Sequence, residues 1–145
     1  MIELRNLQRS ARLDLSWLRR FATVALAECR EKSADGRFAL KGFTEISIAI
    51  VSDARISRLH RDFMNIPGPT DVITFDHGEV VISAQTAAVH AAEYGHSTEH
   101  EVALYVVHGF LHLNGYDDRR KNDRARMERE QKRIMKACLA RVSVD

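Results

Sequence analysis

From Glu101 to Leu113 the chain reads EVALYVVHGFLHL, with apolar residues on nearly every side of a helix. A helix of that kind has no face to offer water and must be packed by neighbours all round. The fold is therefore expected to form layers around this segment, and the remaining 132 or so residues must supply them. A length of 145 residues suits one domain spanning 1–145, large enough for a real core.

The flanking patterns supply those layers. Ile2 to Leu7 reads as a short first strand. Asp14 is placed to cap a helix whose apolar set, Leu15, Leu18, Phe21, Ala22, Ala25 and Cys29, recurs at three- and four-residue spacing. It should fade near Lys32, before the turn residues Ser33 to Gly36. Glu45 to Val51 is a strand with Ile46, Ile48 and Ile50 on one face. Ser52 or Asp53 caps a short helix to about Phe63. The prolines of Asn65-Ile-Pro-Gly-Pro69 then forbid regular helix. Thr70 to Phe75 and Glu79 to Ser83 form a hairpin about Asp76-His-Gly78. Ala84 to Tyr94 is helical and stopped by Gly95. Ser97 or Thr98 starts the apolar helix, and a last helix runs from about Asp118 to Arg141. Strands early and helices late, with few βαβ units, predict an α+β fold: a small mixed sheet of about four strands packed with about five helices.

Two features sit awkwardly on the apolar helix. His108 and His112 are four residues apart and so share one face. An imidazole left without partners in an interior costs about 1–3 kcal/mol. Ordinary hydrogen-bond partners are one answer, and one divalent cation shared by both rings is another. His-x3-His on a helix is a recurrent way to present two nitrogens to zinc. Gly115 allows the chain to turn back, and Asp117 and Asp118 follow. The layout His-x3-His-x2-Gly-x2-Asp matches the spacing of metzincin-type proteases, with Asp118 at the third ligand's position and Asp117 as local competitor. Three protein ligands leave a zinc position open, the catalytic pattern. A peptidase is disfavoured because Gly109 stands where HExxH enzymes carry the Glu base.

Charge adds a weaker signal. Ten basic residues against three acidic ones give Arg119 to Arg141 a charge of +7, leaving about −5 of the net +2 for the rest. That asymmetry fits a polyanionic partner, and equally a solvated helix face. No run approaches the roughly 20 apolar residues of a membrane span, and the N-terminus has no apolar signal core, so a cytoplasmic location is expected. Cys29 and Cys138 lack CxxC spacing and read as buried thiols.

Three strings together carry a resemblance: Val107-His-Gly-Phe-Leu-His-Leu-Asn-Gly-Tyr-Asp117, Pro69-Thr-Asp-Val-Ile-Thr-Phe75 and Gly78-Glu-Val-Val-Ile-Ser83. With the order of elements between about Glu45 and Met135, they resemble the YbeY family of bacterial rRNA maturation factors. The resemblance implies an α+β fold around one Zn2+ held by His108, His112 and Asp118. It further implies single-strand-specific RNA cleavage at the small-subunit rRNA 3′ end, a part in ribosome quality control, and association with ribosomal particles, with ribosomal proteins or an assembly GTPase as further partners. Thr70 and Asp71 would then shape the substrate groove. The family pattern usually has a third His where this chain has Asp118, and an Arg where it has Met64. Arg61, one turn earlier, is the candidate to replace that Arg in catalysis. A ribosome-associated assembly factor with a structural or weakly catalytic metal is the alternative these departures suggest. Phe63, Phe75 and Tyr116 are read as core aromatics or as stacking partners for unpaired bases. His60, His77, His90, His96 and His100 lack ligand spacing and are expected on the surface.

Overall fold

The computed structural model describes residues 1–31 and 40–142, so the turn expected over Ser33 to Gly36 lies outside the described residues. Four strands and five helices follow one another as β1 (Ile2–Asn6), α1 (Leu15–Arg30), a 3-10 turn (Leu40–Gly42), β2 (Ile46–Val51), α2 (Asp53–Met64), β3 (Val72–Phe75), β4 (Glu79–Ser83), α3 (Ala84–Tyr94), α4 (Thr98–Leu113) and α5 (Lys121–Arg141). Local chemistry sets the boundaries. Side-chain oxygens of Asp14, Ser52, Ser83 and Ser97 each accept the backbone N–H three residues on, capping α1 to α4. Gly95 takes a left-handed conformation and stops α3. The last helix begins at Lys121 rather than near Asp118: Arg120 is its N-cap residue, with extended backbone and no side-chain cap. Asp117 and Asp118 are thereby left in a turn, free to face away from the helix axis.

The sheet runs β1-β2-β4-β3 and is mixed, as expected. Two of its three pairings are parallel, β1 with β2 and β2 with β4, whereas β3 and β4 form the antiparallel hairpin. Crossovers through α1 and α2 thus matter more than a strands-then-helices reading suggested; alternation reveals a strand but not its partner. Central β2 is covered on both faces. Ile46, Ile48 and Ile50 join the main core with Phe21, Val80 and Phe110. Ala49 and Val51 turn the other way, onto Ile56 of α2, Ile73 and Val81. Among the described residues, no helix is long and apolar enough to cross a membrane. Both cysteines are free and buried, and burial pushes the Cys138 thiol up to about 11.

Helix α4 lies in the centre, as its composition required, with ten buried residues among its sixteen. Two contacts fix it. A Cβ on Gly109 would stand 2.7 and 2.8 Å from the two methyls of Val80, so glycine lets α4 rest directly on β4. Just past the helix, buried Asn114 donates to the Cys29 carbonyl at 2.6 Å and accepts the Leu40 N–H at 2.9 Å. It ties the ends of α1 and of the 3-10 turn to α4. Asn114→Ala strands both backbone groups, each at about 1–3 kcal/mol. Urea denaturation should therefore show a loss of about 2–6 kcal/mol; a loss under about 1 kcal/mol would mean water takes over the contacts.

Candidate metal centre

One stripe of α4 escapes burial. His108 and His112 lie on it, one turn apart, with ring centroids 4.7 Å apart and planes at 80°. The sequence places these rings in the interior; in the structure they are 27% exposed and open onto a groove of about 620 Å³. The groove runs between α4, β3 with the segment before it, and the turn that carries Asp117 and Asp118.

Each ring is oriented by a second contact. His108 Nδ1 lies 2.9 Å from Gln131 Oε1 of α5, and His112 Nδ1 lies 3.1 Å from the Tyr116 carbonyl oxygen. The carbonyl can only accept, so neutral His112 carries its proton on Nδ1, and with the Gln131 amide oxygen turned toward it His108 does the same. Both Nε2 lone pairs then face the same point, with the nitrogens 3.1 Å apart. Asp118 Oδ2 completes a triangle at 3.7 Å from each nitrogen. Two lone pairs and a carboxylate repel one another, and a cation among them reverses the sign of every interaction. The edges also fit: tetrahedral zinc with bonds of about 2.0–2.1 Å separates its ligands by roughly 3.3 Å. Burial, reinforced by neighbouring His108, lowers the His112 pKa from its ordinary value and keeps the ring a neutral donor.

Asp117 is engaged elsewhere. Its carboxylate accepts the Arg119 N–H at 3.1 Å and pairs with the Arg119 guanidinium at 3.5 Å. The backbone N–H, more than the charge, holds its pKa below the usual carboxylate range. Gly115, at φ 95°, makes the turn that brings this segment back.

The profile described as Endoribonuclease YbeY matches residues 3–139. The chain belongs to that family. Relatives of the same name include one from Desulfitobacterium hafniense, 38% identical over 109 residues covering 63% of this chain and 69% of the relative. Another, from Roseiflexus castenholzii, is 41% identical over 113 residues, covering 66% and 71%. In three dimensions the chain is similar to a Thermotoga maritima protein solved in solution, with a TM-score of 0.67 and 22% identity over 97% of this chain and 91% of the other. That likeness speaks to the fold. The family match reaches well beyond the span of 45–135 that carried the resemblance by motif.

Other expected site residues divide. Thr70 and Asp71 line the groove; the Asp71 carboxylate accepts the Val72 N–H at 2.8 Å and so also caps β3. Arg61 is not brought to the groove. Its side chain is 62% exposed and pairs with Asp62, and Met64 forms the wall instead. Among the described residues lining the groove, Arg119 is the one with a fixed positive charge. In the sequence it counts only as part of a basic run. Gln131 gave no signal at all, since an outer partner from another helix has no fixed spacing to the ligand. Tyr116 is buried, with Arg126 over its ring at 5.1 Å. His90 and His96 are not simple surface residues. His96 contacts the buried Glu101 carboxylate at 2.6 Å, and His90 the Tyr105 hydroxyl at 2.8 Å. The burial of Glu101 that draws them in was not visible in sequence.

Gln131→Ala should lower zinc affinity about 10–100-fold in a chelator competition, the usual effect of losing an outer-shell partner. Unchanged affinity would show that Gln131 does not set the ring.

Proposed function

We propose that the chain is a zinc-dependent endoribonuclease that hydrolyses single-stranded RNA during rRNA maturation and ribosome quality control, in the cytoplasm. The supporting observation is the convergence of two Nδ1-anchored imidazoles and the Asp118 carboxylate on one point in an open groove. Family membership supplies the RNA, since the relatives carry the name endoribonuclease.

His108, His112 and Asp118 would hold the cation, and all three line the open groove. A divalent ion there would supply a water of lowered pKa and neutralise charge on a phosphoryl oxygen. The chain's own residues do the rest. Arg119 attracts the phosphate backbone and, with Thr70 and Asp71 on the facing wall, limits how a strand lies across the ligands. Hydrolysis adds water across one P–O bond, leaving a phosphate on one fragment and a hydroxyl on the other. Asp118 in place of an imidazole adds a negative charge, which makes a bound water less acidic and predicts an activity optimum shifted to higher pH than in a three-His site.

The absence of Arg61 from the groove favours a second reading, a ribosome-bound assembly factor whose metal is weakly catalytic. One experiment separates them. Purified protein should cut a single-stranded RNA oligonucleotide, lose that activity to a chelator and regain it with zinc. Co-sedimentation with ribosomal particles without any metal-dependent cleavage would support the second reading.

A further inference from the structure

Residues 61–69 are all exposed, and the apolar Phe63, Met64 and Ile66 are among them. The reason is how α2 is anchored. Ile56 and Leu59 seat its middle on the outer face of the sheet. Asn65, in a left-handed conformation at φ 56°, then ends it, before the prolines at 67 and 69 carry the chain away. The last turn of α2 therefore projects past the sheet. Phe63, 68% exposed, meets Phe75 at the end of β3 edge-on, with centroids 5.4 Å apart. Phe75 in turn stacks on exposed His77 at 5.6 Å. The rings pack on the sheet face that α2 covers, and their chain neighbours line the metal groove: Met64 next to Phe63, and Asp76 between Phe75 and His77.

We propose that Phe63, backed by Phe75 and His77, is a stacking platform for an unpaired base of the RNA strand that crosses the metal groove. The inference rests on the RNA reading given above and adds a basis for strand selection. A base in a duplex has both faces covered by its neighbours, whereas an unpaired base can place one on a protein ring. Rings beside a cleft that carries Arg119 and three ligands suit a nucleotide chain: phosphate in the groove, base over the rim. An exposed apolar patch can also receive a protein, but this one adjoins the groove through Met64 and Asp76 and alternates with polar Asn65, Asp76 and His77.

The test compares wild type, Phe63→Ala, Phe63→Leu and Phe63→Trp, zinc-loaded, on a single-stranded RNA oligonucleotide. Because Phe63 is mostly exposed, all four should melt alike. Loss of the ring should raise KM about tenfold in the Ala and Leu variants while kcat changes less than about twofold, and Trp should restore KM. An abasic site at the base that stacks should raise the wild-type KM by a similar factor and leave that of Phe63→Ala nearly unchanged. Equal KM across the four proteins would overturn the proposal. So would loss of co-sedimentation with ribosomal particles by Phe63→Ala at unchanged KM, since that outcome assigns the patch to a protein contact. If wild type cuts no RNA, the nuclease reading fails on its own. Fluorescence anisotropy of the same oligonucleotide with wild type and Phe63→Ala then decides the platform: about tenfold weaker binding by the variant sustains it, equal binding overturns it.

Discussion

His112→Ala is expected to lower zinc affinity by roughly a thousandfold, well beyond the 10–100-fold of an outer-shell change, and to abolish metal-dependent RNA cleavage. The variant should still fold. The ring is partly exposed on the groove wall, and its loss returns the Tyr116 carbonyl to solvent rather than stranding it in the core. The metal-free proteins should thus unfold at similar urea concentrations. Added zinc should separate them: at 100 times its dissociation constant it stabilises wild type by about 2.7 kcal/mol, and the variant by almost nothing. Equal stabilisation of both by zinc would place the ion elsewhere.

The second large effect concerns Gly109. Gly109→Glu recreates the HExxH pattern of peptidases and is expected to unfold the protein rather than convert it. Position 109 is about 100° around the helix from His108 and faces β4, where a Cβ already falls within 2.8 Å of both Val80 methyls and 3.3 Å from Thr74 Oγ1. Val80 is fully buried and β-branched, so it has nowhere to move. Overpacking costs about 1–3 kcal/mol, and an unpaired carboxylate between helix and sheet adds several more. A loss above about 4 kcal/mol, a large share of the about 5–15 kcal/mol that holds a domain folded, should appear as insoluble or molten protein. Gly109→Ala should lose about 1–2 kcal/mol and recover part of it in combination with Val80→Ala. A soluble Gly109→Glu protein with the wild-type melting curve would show that α4 does not sit on β4 as described.

These two positions show what was legible in the chain and what was not. His108 and His112 could be paired from their spacing alone, because helical geometry turns four residues into one face. Asp118 followed from the glycine turn. The α+β class and nearly every helix boundary followed from capping residues and periodicity, which act within a few residues of themselves. What depended on partners distant in sequence was hidden. Gly109 looked like a missing base, whereas its purpose is the approach to Val80 of another element. Asn114 looked like a helix end, and its bonds reach Cys29 and Leu40. Gln131 aims a ring 23 residues away. A helix apolar all round implied buried imidazoles, yet a groove cut beside it leaves both rings at its wall. Arg61 was offered by helical proximity to Met64, but the turn of α2 that places Met64 on the groove points Arg61 to Asp62. The family resemblance supplied activity and substrate, which no spacing argument reaches.

Zinc stoichiometry and first-shell structure, measured together by X-ray absorption on protein loaded with one equivalent of zinc, address the centre of the account. Two imidazole nitrogens and a carboxylate oxygen at about 2.0–2.2 Å, with one further light-atom neighbour and no sulfur, are the expected result. A bound ion with sulfur neighbours, or failure of wild type to retain the ion at all, would contradict it.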